Sequence, residues 1–149
     1  MWSIRGIHLI DVLPNGERFT SSYACHMLDR LDSNMRRLRP KMGLRGMKIH
    51  WDNARPHRSS ETRAKLQSLG CAELPHPPYS PDLAPSDYYL FGYIKSKLKG
   101  TCSADSEELF AKVTLITEEI EKTTLSGVFS EWVRRLDVMR KSNGDYITK

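Results

Sequence analysis

Apolar and polar positions alternate only loosely at the start of the chain, with Ile4, Gly6, His8 and Ile10 on one side and Arg5, Ile7, Leu9 and Asp11 on the other. This predicts a strand over Trp2 to Leu13 that is buried on both faces for part of its length. Pro14-Asn15-Gly16 predicts a tight turn, since Asn-Gly takes the positive φ values a hairpin needs, and Glu17 to Tyr23 is expected as the returning strand. From Ser22 the period lengthens. Met27, Leu28, Leu31, Met35 and Leu38 recur at helical spacing, with Ser21 or Ser22 as N-cap and Pro40 as terminator. Gly43 and Gly46 mark a loop.

Met47 to Trp51 is a short run suited to an inner strand, and it delivers Asp52 at its C-terminal end. Asn53 to His57 is expected as a turn, and Ser59 or Ser60 opens a helix through Leu69 that Gly70 stops. Cys71 to Leu74 is short enough for only an inner strand. The next twelve residues, Pro75 to Ser86, contain five prolines. Their fixed φ angles stiffen the loop, so it can hold the following helix, Asp87 to Lys99 capped by Ser86, in one place. Two amphipathic helices are predicted after it, over Ser106 to Lys122 and Leu125 to Lys141. Leu109, Val113, Ile116 and Ile120 form one stripe; Val128, Phe129, Trp132, Val133 and Leu136 form the other. The order strand, strand, helix, strand, helix, strand, then helices is an α/β pattern.

Composition narrows the picture. The 149 residues, 39% hydrophobic and 28% charged, suit one globular domain. No apolar run approaches the roughly 18 residues of a membrane span, and Arg5 and His8 break any secretory core. Cys25, Cys71 and Cys102 are too few and too far apart for a disulfide framework or a zinc finger. The expectation is a soluble intracellular chain. Its net charge of +5 is uneven: residues 1–74 hold 13 Lys/Arg against 7 Asp/Glu, and residues 75–149 hold 10 against 11. Between Arg30 and Lys65 there are 11 basic and 3 acidic residues. Such a field attracts polyanions, although a solvated basic helix face has the same composition.

Two carboxylates stand out by position. Asp52 ends an inner strand, where open α/β sheets place ligand-binding groups, and Asp87 lies in the first turn of the helix behind the proline loop. A hard cation such as Mg²⁺ binds one or two carboxylates plus oxygens of water and phosphate. A turn former and a helix N-terminal charge are the plainer alternatives for the same two residues.

The surrounding residues discriminate. Trp51-Asp52-Asn53-Ala54-Arg55-Pro56-His57 and Leu74-Pro75-His76-Pro77-Pro78-Tyr79-Ser80-Pro81-Asp82-Leu83-Ala84-Pro85-Ser86-Asp87-Tyr88-Tyr89-Leu90-Phe91 closely resemble the two signature segments of mariner-type DDE transposases. The family's second and third catalytic acidic residues share the spacing seen here, with 34 residues between Asp52 and Asp87. The likeness extends through the predicted hairpin before Asp52 and, more weakly, through the helices after Asp87.

The resemblance implies an RNase H-like α/β fold, a mixed sheet with flanking helices, and residues 1–149 as a single truncated catalytic domain. It also implies Mg²⁺- or Mn²⁺-dependent DNA cleavage and strand transfer, with Asp52 and Asp87 as catalytic metal ligands. Asn53, Arg55, His57 and Arg58 are then expected beside the metals or against DNA. The implied partners are DNA and a second copy, as a homodimer, with no membrane and no small-molecule cofactor. The implied location is the nucleus, with the cytoplasm as the alternative. The chain departs from the family in a decisive way: it is expected to lack the first central strand of that sheet and, with it, the first catalytic Asp that the strand carries. Asp11 is the only nearby candidate and does not match that motif. Trp51 is a lesser departure, standing where the family often has a small residue or His. The expectation is therefore a chain that is inactive or weakly active alone, marginally stable or self-associating. A non-catalytic DNA-binding or interaction module is the alternative. His50 is expected next to the metals or in packing, His76 as a turn residue, and His8 and His26 in packing or at the surface. Tyr88, Tyr89 and Tyr93 suit either base stacking or a core helix face, Cys71 a buried apolar site, and Trp132 an anchor for the last helix.

Overall fold

The computed structural model describes residues 1–14, 16–103 and 105–141, and the chain divides into two compact units. The first comprises Met1 with His8–Pro78, the second Trp2–Ile7 with Tyr79 onward.

In the first unit, helix α1 (Ser21–Leu38) is the main packing element. Leu28, Leu31 and Met35 recur at three- and four-residue spacing and face a core shared with Leu9, Leu44, Ile49, Trp51, Leu66 and Cys71. Thr20 caps the helix: its extended backbone lets Oγ1 accept from the Tyr23 N–H at 3.2 Å. The expected Ser21 and Ser22 lie inside the helix. Strands β3 (Lys48–His50) and β4 (Ala72–Leu74) pair in parallel, Lys48 opposite Ala72, Ile49 opposite Glu73 and His50 opposite Leu74. Parallel pairing needs a crossover, here helices α2 (Arg55–Arg58) and α3 (Ser60–Ser68). The residues expected as a turn before Ser59 thus include a short helix, favoured by Pro56 in its first turn. Ser59 caps α3 by accepting from Thr62 N–H at 3.1 Å. Gly70, at φ +65°, closes α3 with the N–H of Gly70 on Gln67 and that of Cys71 on Leu66.

The predicted long hairpin does not form. Strands β1 (Trp2–Ser3) and β2 (Gly6–Ile7) are only two residues each, joined at Ile4-Arg5, and they belong to the second unit. Gly6, at φ +131°, permits this tighter reversal. The Pro14 turn exists, with Glu17 N–H donating to Pro14 C=O at 3.0 Å, although Asn15 lies outside the described residues. It leads into α1 and not into a strand, because Thr20 caps a helix at the point where pairing was expected. Side chains of α1 hold the 8–12 segment: Asn34 donates to the His8 carbonyl at 2.9 Å, and the Tyr23 hydroxyl donates to Asp11 at 3.1 Å. Arg30 pairs with the same carboxylate, and burial together with the Asp11 contact raises the Tyr23 pKa. Asp11 is thereby a structural anchor.

In the second unit a 3₁₀ turn (Pro81–Leu83) and a π turn (Ser86–Leu90) lead into helix α4 (Phe91–Leu98). Helices α5 (Ser106–Glu118) and α6 (Lys122–Lys141) follow, the latter beginning three residues earlier than the apolar stripe predicts. Leu90, Ile120 and Leu125 form the core, with Trp2, Ile7, Tyr89, Tyr93 and Ile94 packed on it. Trp132 meets Phe129 edge-on at 5.9 Å within α6. Of the two predicted apolar stripes, Leu109 and Val133 are exposed. No helix among the described residues is long and apolar enough to cross a membrane.

Gly43 is the tightest backbone position of the first unit. It is buried at φ +50°, and a Cβ there would lie 2.2 Å from Asp32 Oδ1. That carboxylate accepts from the Leu44 N–H at 2.8 Å and from Arg36 Nε at 2.7 Å, which satisfies a buried charge in the second half of α1. Gly43→Ala combines left-handed strain with loss of a buried, charge-assisted bond and is expected to cost about 3 kcal/mol. Urea unfolding monitored by Trp fluorescence measures it.

Candidate functional site

Trp51 carries the chain out of β3, and Asp52 follows at the C-terminal end of the parallel pair. The Asp52 side chain is 64% exposed. Its Oδ1 accepts from the Ala54 N–H at 3.2 Å, an Asx turn that reverses the backbone into α2, and lies 2.7 Å from His57 Nδ1. An ionised carboxylate only accepts, so the proton of that contact sits on Nδ1. His57 lies flat against Trp51, with ring centroids 4.4 Å apart and planes 2° from parallel, while Phe19 meets it edge-on at 5.2 Å. The indole of Trp51 is itself anchored, donating to Glu73 Oε1 at 2.9 Å.

Asn53 faces the proline loop: its Nδ2 donates to the His76 carbonyl at 2.8 Å, tying the residue after Asp52 to the chain leaving β4. Beside it, His50 Nε2 and His76 Nδ1 are 3.0 Å apart with their rings edge-on. Burial, and next the neighbouring His76 charge, push the His50 imidazole below its usual pKa. Burial likewise raises the Cys71 thiol, which donates to the Met47 carbonyl as a packed apolar group. Arg55 and Arg58 are exposed on α2.

Much of the basic stretch is neutralised locally. Arg30, Arg36, Arg63 and Lys65 are paired with Asp11, Asp32, Glu73 and Asp29. Arg39 donates to the Gly43 and Arg45 carbonyls. Arg37, Lys41, Arg45, Lys48, Arg55 and Arg58 are exposed and have no ion pair among the described residues.

In the second unit Asp87 is exposed in the π turn, its N–H bonded to Ala84 C=O at 2.9 Å. Ser86 does not cap the helix. Its Oγ accepts from Trp2 Nε1 at 3.0 Å, so the β1–β2 hairpin braces the turn that carries Asp87. Tyr79, in the loop before it, is 89% exposed at φ +54°. Tyr88 donates to Val128 C=O at 2.8 Å under the Arg135 guanidinium, which in turn donates to Asp82 C=O at 2.9 Å. Tyr89 and Tyr93 stack at 5.9 Å against the core. The tyrosines thus pack the helix. Phe19, which meets His57, and Glu73, which anchors Trp51, escaped the sequence reading. A polar residue inside the short strand β4 was the one sign of Glu73, and Phe19 is too distant along the chain to leave any.

A parallel strand pair with a helical crossover, an aspartate at its C-terminal end and a helical bundle after it are features of an RNase H-like fold. Solved structures agree. The catalytic domain of Mos1 transposase, determined with raltegravir and Mn, superposes with a TM-score of 0.89 at 26% identity, over 99% of this chain and 74% of that one. A Mos1 paired-end complex with the left transposon end matches at 0.89, covering 43% of its chain. No protein-family profile matches. By sequence, the chain is 33% identical over 150 aligned positions to the Histone-lysine N-methyltransferase SETMAR of Homo sapiens, covering 97% of this chain and 21% of that protein. It is 36% identical over 92 residues to the Mariner Mos1 transposase of Drosophila mauritiana, covering 60% of this chain and 27% of that protein. The chain is homologous to SETMAR and to the mariner transposase Mos1, and its structure matches the C-terminal part of the Mos1 catalytic domain. It spans between a fifth and about a quarter of the length of these curated relatives. Mos1 catalytic-domain structures carry Mn or Mg. Among the described residues of this chain, no three His, Cys, Asp or Glu side chains gather as a metal cluster. The donor chemistry fits all the same, since exposed carboxylates are what hard divalent ions take.

Burial raises the Tyr88 hydroxyl to about 12. The folded protein retains a proton that the unfolded chain releases near 10, so this contribution is complete below pH 10 and is lost as pH rises toward 12. A tyrosinate absorbance titration is expected to show a group ionising near 12, beyond the other tyrosines, that Tyr88→Phe removes.

Proposed function

We propose that this chain is the part of a mariner-type catalytic domain that carries its second and third acidic ligands, with Asp52 and Asp87 binding Mg²⁺ or Mn²⁺ and DNA as the partner. The presentation of Asp52 carries the reading. It stands exposed at the C-terminal end of a parallel strand, one oxygen fixed by His57 and the Ala54 N–H. A divalent ion bound there supplies activation of an attacking oxygen and neutralises charge on a phosphodiester. Within the first unit Asp52 would present its carboxylate to such an ion, and within the second Asp87 is an exposed carboxylate on the turn braced by Trp2. Arg55 and Arg58, exposed and unpaired among the described residues, are suited to phosphate, and His57 serves Asp52 first. The paired-end complexes of Mos1 are in keeping with a homodimer, and action on DNA with a nuclear location.

No residue here matches the family's first catalytic Asp, and Asp11 is engaged by Tyr23 and Arg30. Cleavage by this chain alone is therefore absent or very slow. The exposed, unpaired cations favour a second reading, a DNA-binding module without turnover.

Plasmid nicking with Mn²⁺ and salt-dependent binding to duplex DNA separate the two. Binding is expected to weaken steeply with salt. Arg55→Ala and Arg58→Ala should each lower the slope by about 1. Any nicking is expected to vanish in Asp52→Ala and in Asp87→Ala. Nicking that survives both substitutions overturns the site, binding without nicking favours the module, and salt-insensitive binding overturns the role of DNA.

A further inference from the structure

The contacts around His57 do more than fill space. The imidazole lies parallel to the Trp51 indole and is closed on its edge by Phe19. Trp51 is 8% exposed, sits in the core cluster and is pinned through Nε1 to Glu73, so its plane is set by the fold. A parallel stack fixes the plane of the His57 ring. It leaves open a half-turn about the Cβ–Cγ bond, which exchanges Nδ1 for a carbon within the same plane. The Asp52 carboxylate settles that choice, because only Nδ1–H can donate to Oδ1 at 2.7 Å. In return, Oδ1 is held by two donors, His57 and the Ala54 N–H, which restrains rotation of the carboxylate and leaves Oδ2 to the outside.

From this we infer that Trp51 is a positioning residue. Acting through His57, it orients the Asp52 carboxylate so that one defined oxygen faces a divalent cation. The inference rests on Asp52 as a metal ligand. It deepens that reading by assigning the orientation of the ligand to an aromatic slot made by Trp51 and Phe19 and anchored by Glu73. Partners that orient a ligand from behind, once removed, typically cost tenfold or more in metal affinity.

Two readouts test it on the whole chain: NMR of the imidazole nitrogens and ring protons of His57, and Mn²⁺ binding followed by electron paramagnetic resonance. The unsubstituted chain is expected to show His57 protonated at Nδ1, with ring protons shifted upfield by the indole. Trp51→Leu is expected to abolish both signatures and weaken Mn²⁺ binding about tenfold. Trp51→Phe, which keeps an aromatic face, should restore them. Absence of the upfield shift in the unsubstituted chain overturns the inference, as does Trp51→Leu with unchanged His57 protonation and Mn²⁺ affinity. Should Trp51→Leu fail to fold by circular dichroism, His57→Phe keeps the stack and removes the donor. The same tenfold weakening is expected there, and unchanged affinity overturns the role. A chain that binds Mn²⁺ no better than Asp52→Asn refutes the metal reading itself. The His57 protonation and ring shift, compared between Trp51 and Trp51→Phe or Leu, then still decide whether the slot orients Asp52.

Discussion

The parallel register of β3 and β4 is the constraint on which the first unit's site depends. With Ile49 opposite Glu73 and His50 opposite Leu74, the two strands end together. The residues just beyond them, Trp51 to Asn53 on one side and Pro75 to His76 on the other, become neighbours. The bonds at this end follow from that register: Trp51 to Glu73, Asn53 to the His76 carbonyl, and His50 to His76. A slip by one residue would turn Glu73 to the other face and leave the indole N–H buried without an acceptor.

That geometry separates groups that carry chemistry from groups that carry structure. Asp52 is exposed while the side chains that hold it, His57 and Trp51, are not, so rigidity is supplied from beneath and access from above. Asp11 and Asp32 show the opposite arrangement. Each has its oxygens taken by protein donors, Tyr23 and Arg30 for one, Leu44 N–H and Arg36 for the other. The same division runs through the cations. Where an acidic partner lies within reach, as for Lys65 and Asp29, the charge is satisfied within the fold. Arg55 and Arg58 have no such partner among the described residues and keep their charge for solvent or ligand.

The second unit repeats the principle with different means. Trp2, from a hairpin far upstream in the chain, holds Ser86, and Arg135 of α6 reaches the Asp82 carbonyl and the Tyr88 ring. The proline-rich loop is stiff by itself. Its end is nevertheless clamped by residues remote in sequence, which is how a turn of π-helical geometry at Ser86–Leu90 is held beneath an exposed Asp87.

The sequence by itself determined the elements with strong local signals: the apolar stripe of α1, the helix before Gly70 and the short strands before Asp52 and Pro75. The likeness to mariner transposases was legible there too, and the comparisons bear it out. Periodicity, capping oxygens and proline act over a few residues, so they are legible along the chain. Local pattern misjudged the first twenty residues, because loose alternation does not reveal whether a partner strand exists. There, side chains of α1 replaced the expected ladder, and Thr20 started a helix where a strand was expected. Only tertiary structure decided that Glu73 anchors Trp51, that Phe19 and Trp51 enclose His57, and that Trp2 braces the Asp87 turn. These contacts join residues many positions apart, and their energy depends on angle and distance that no local pattern encodes.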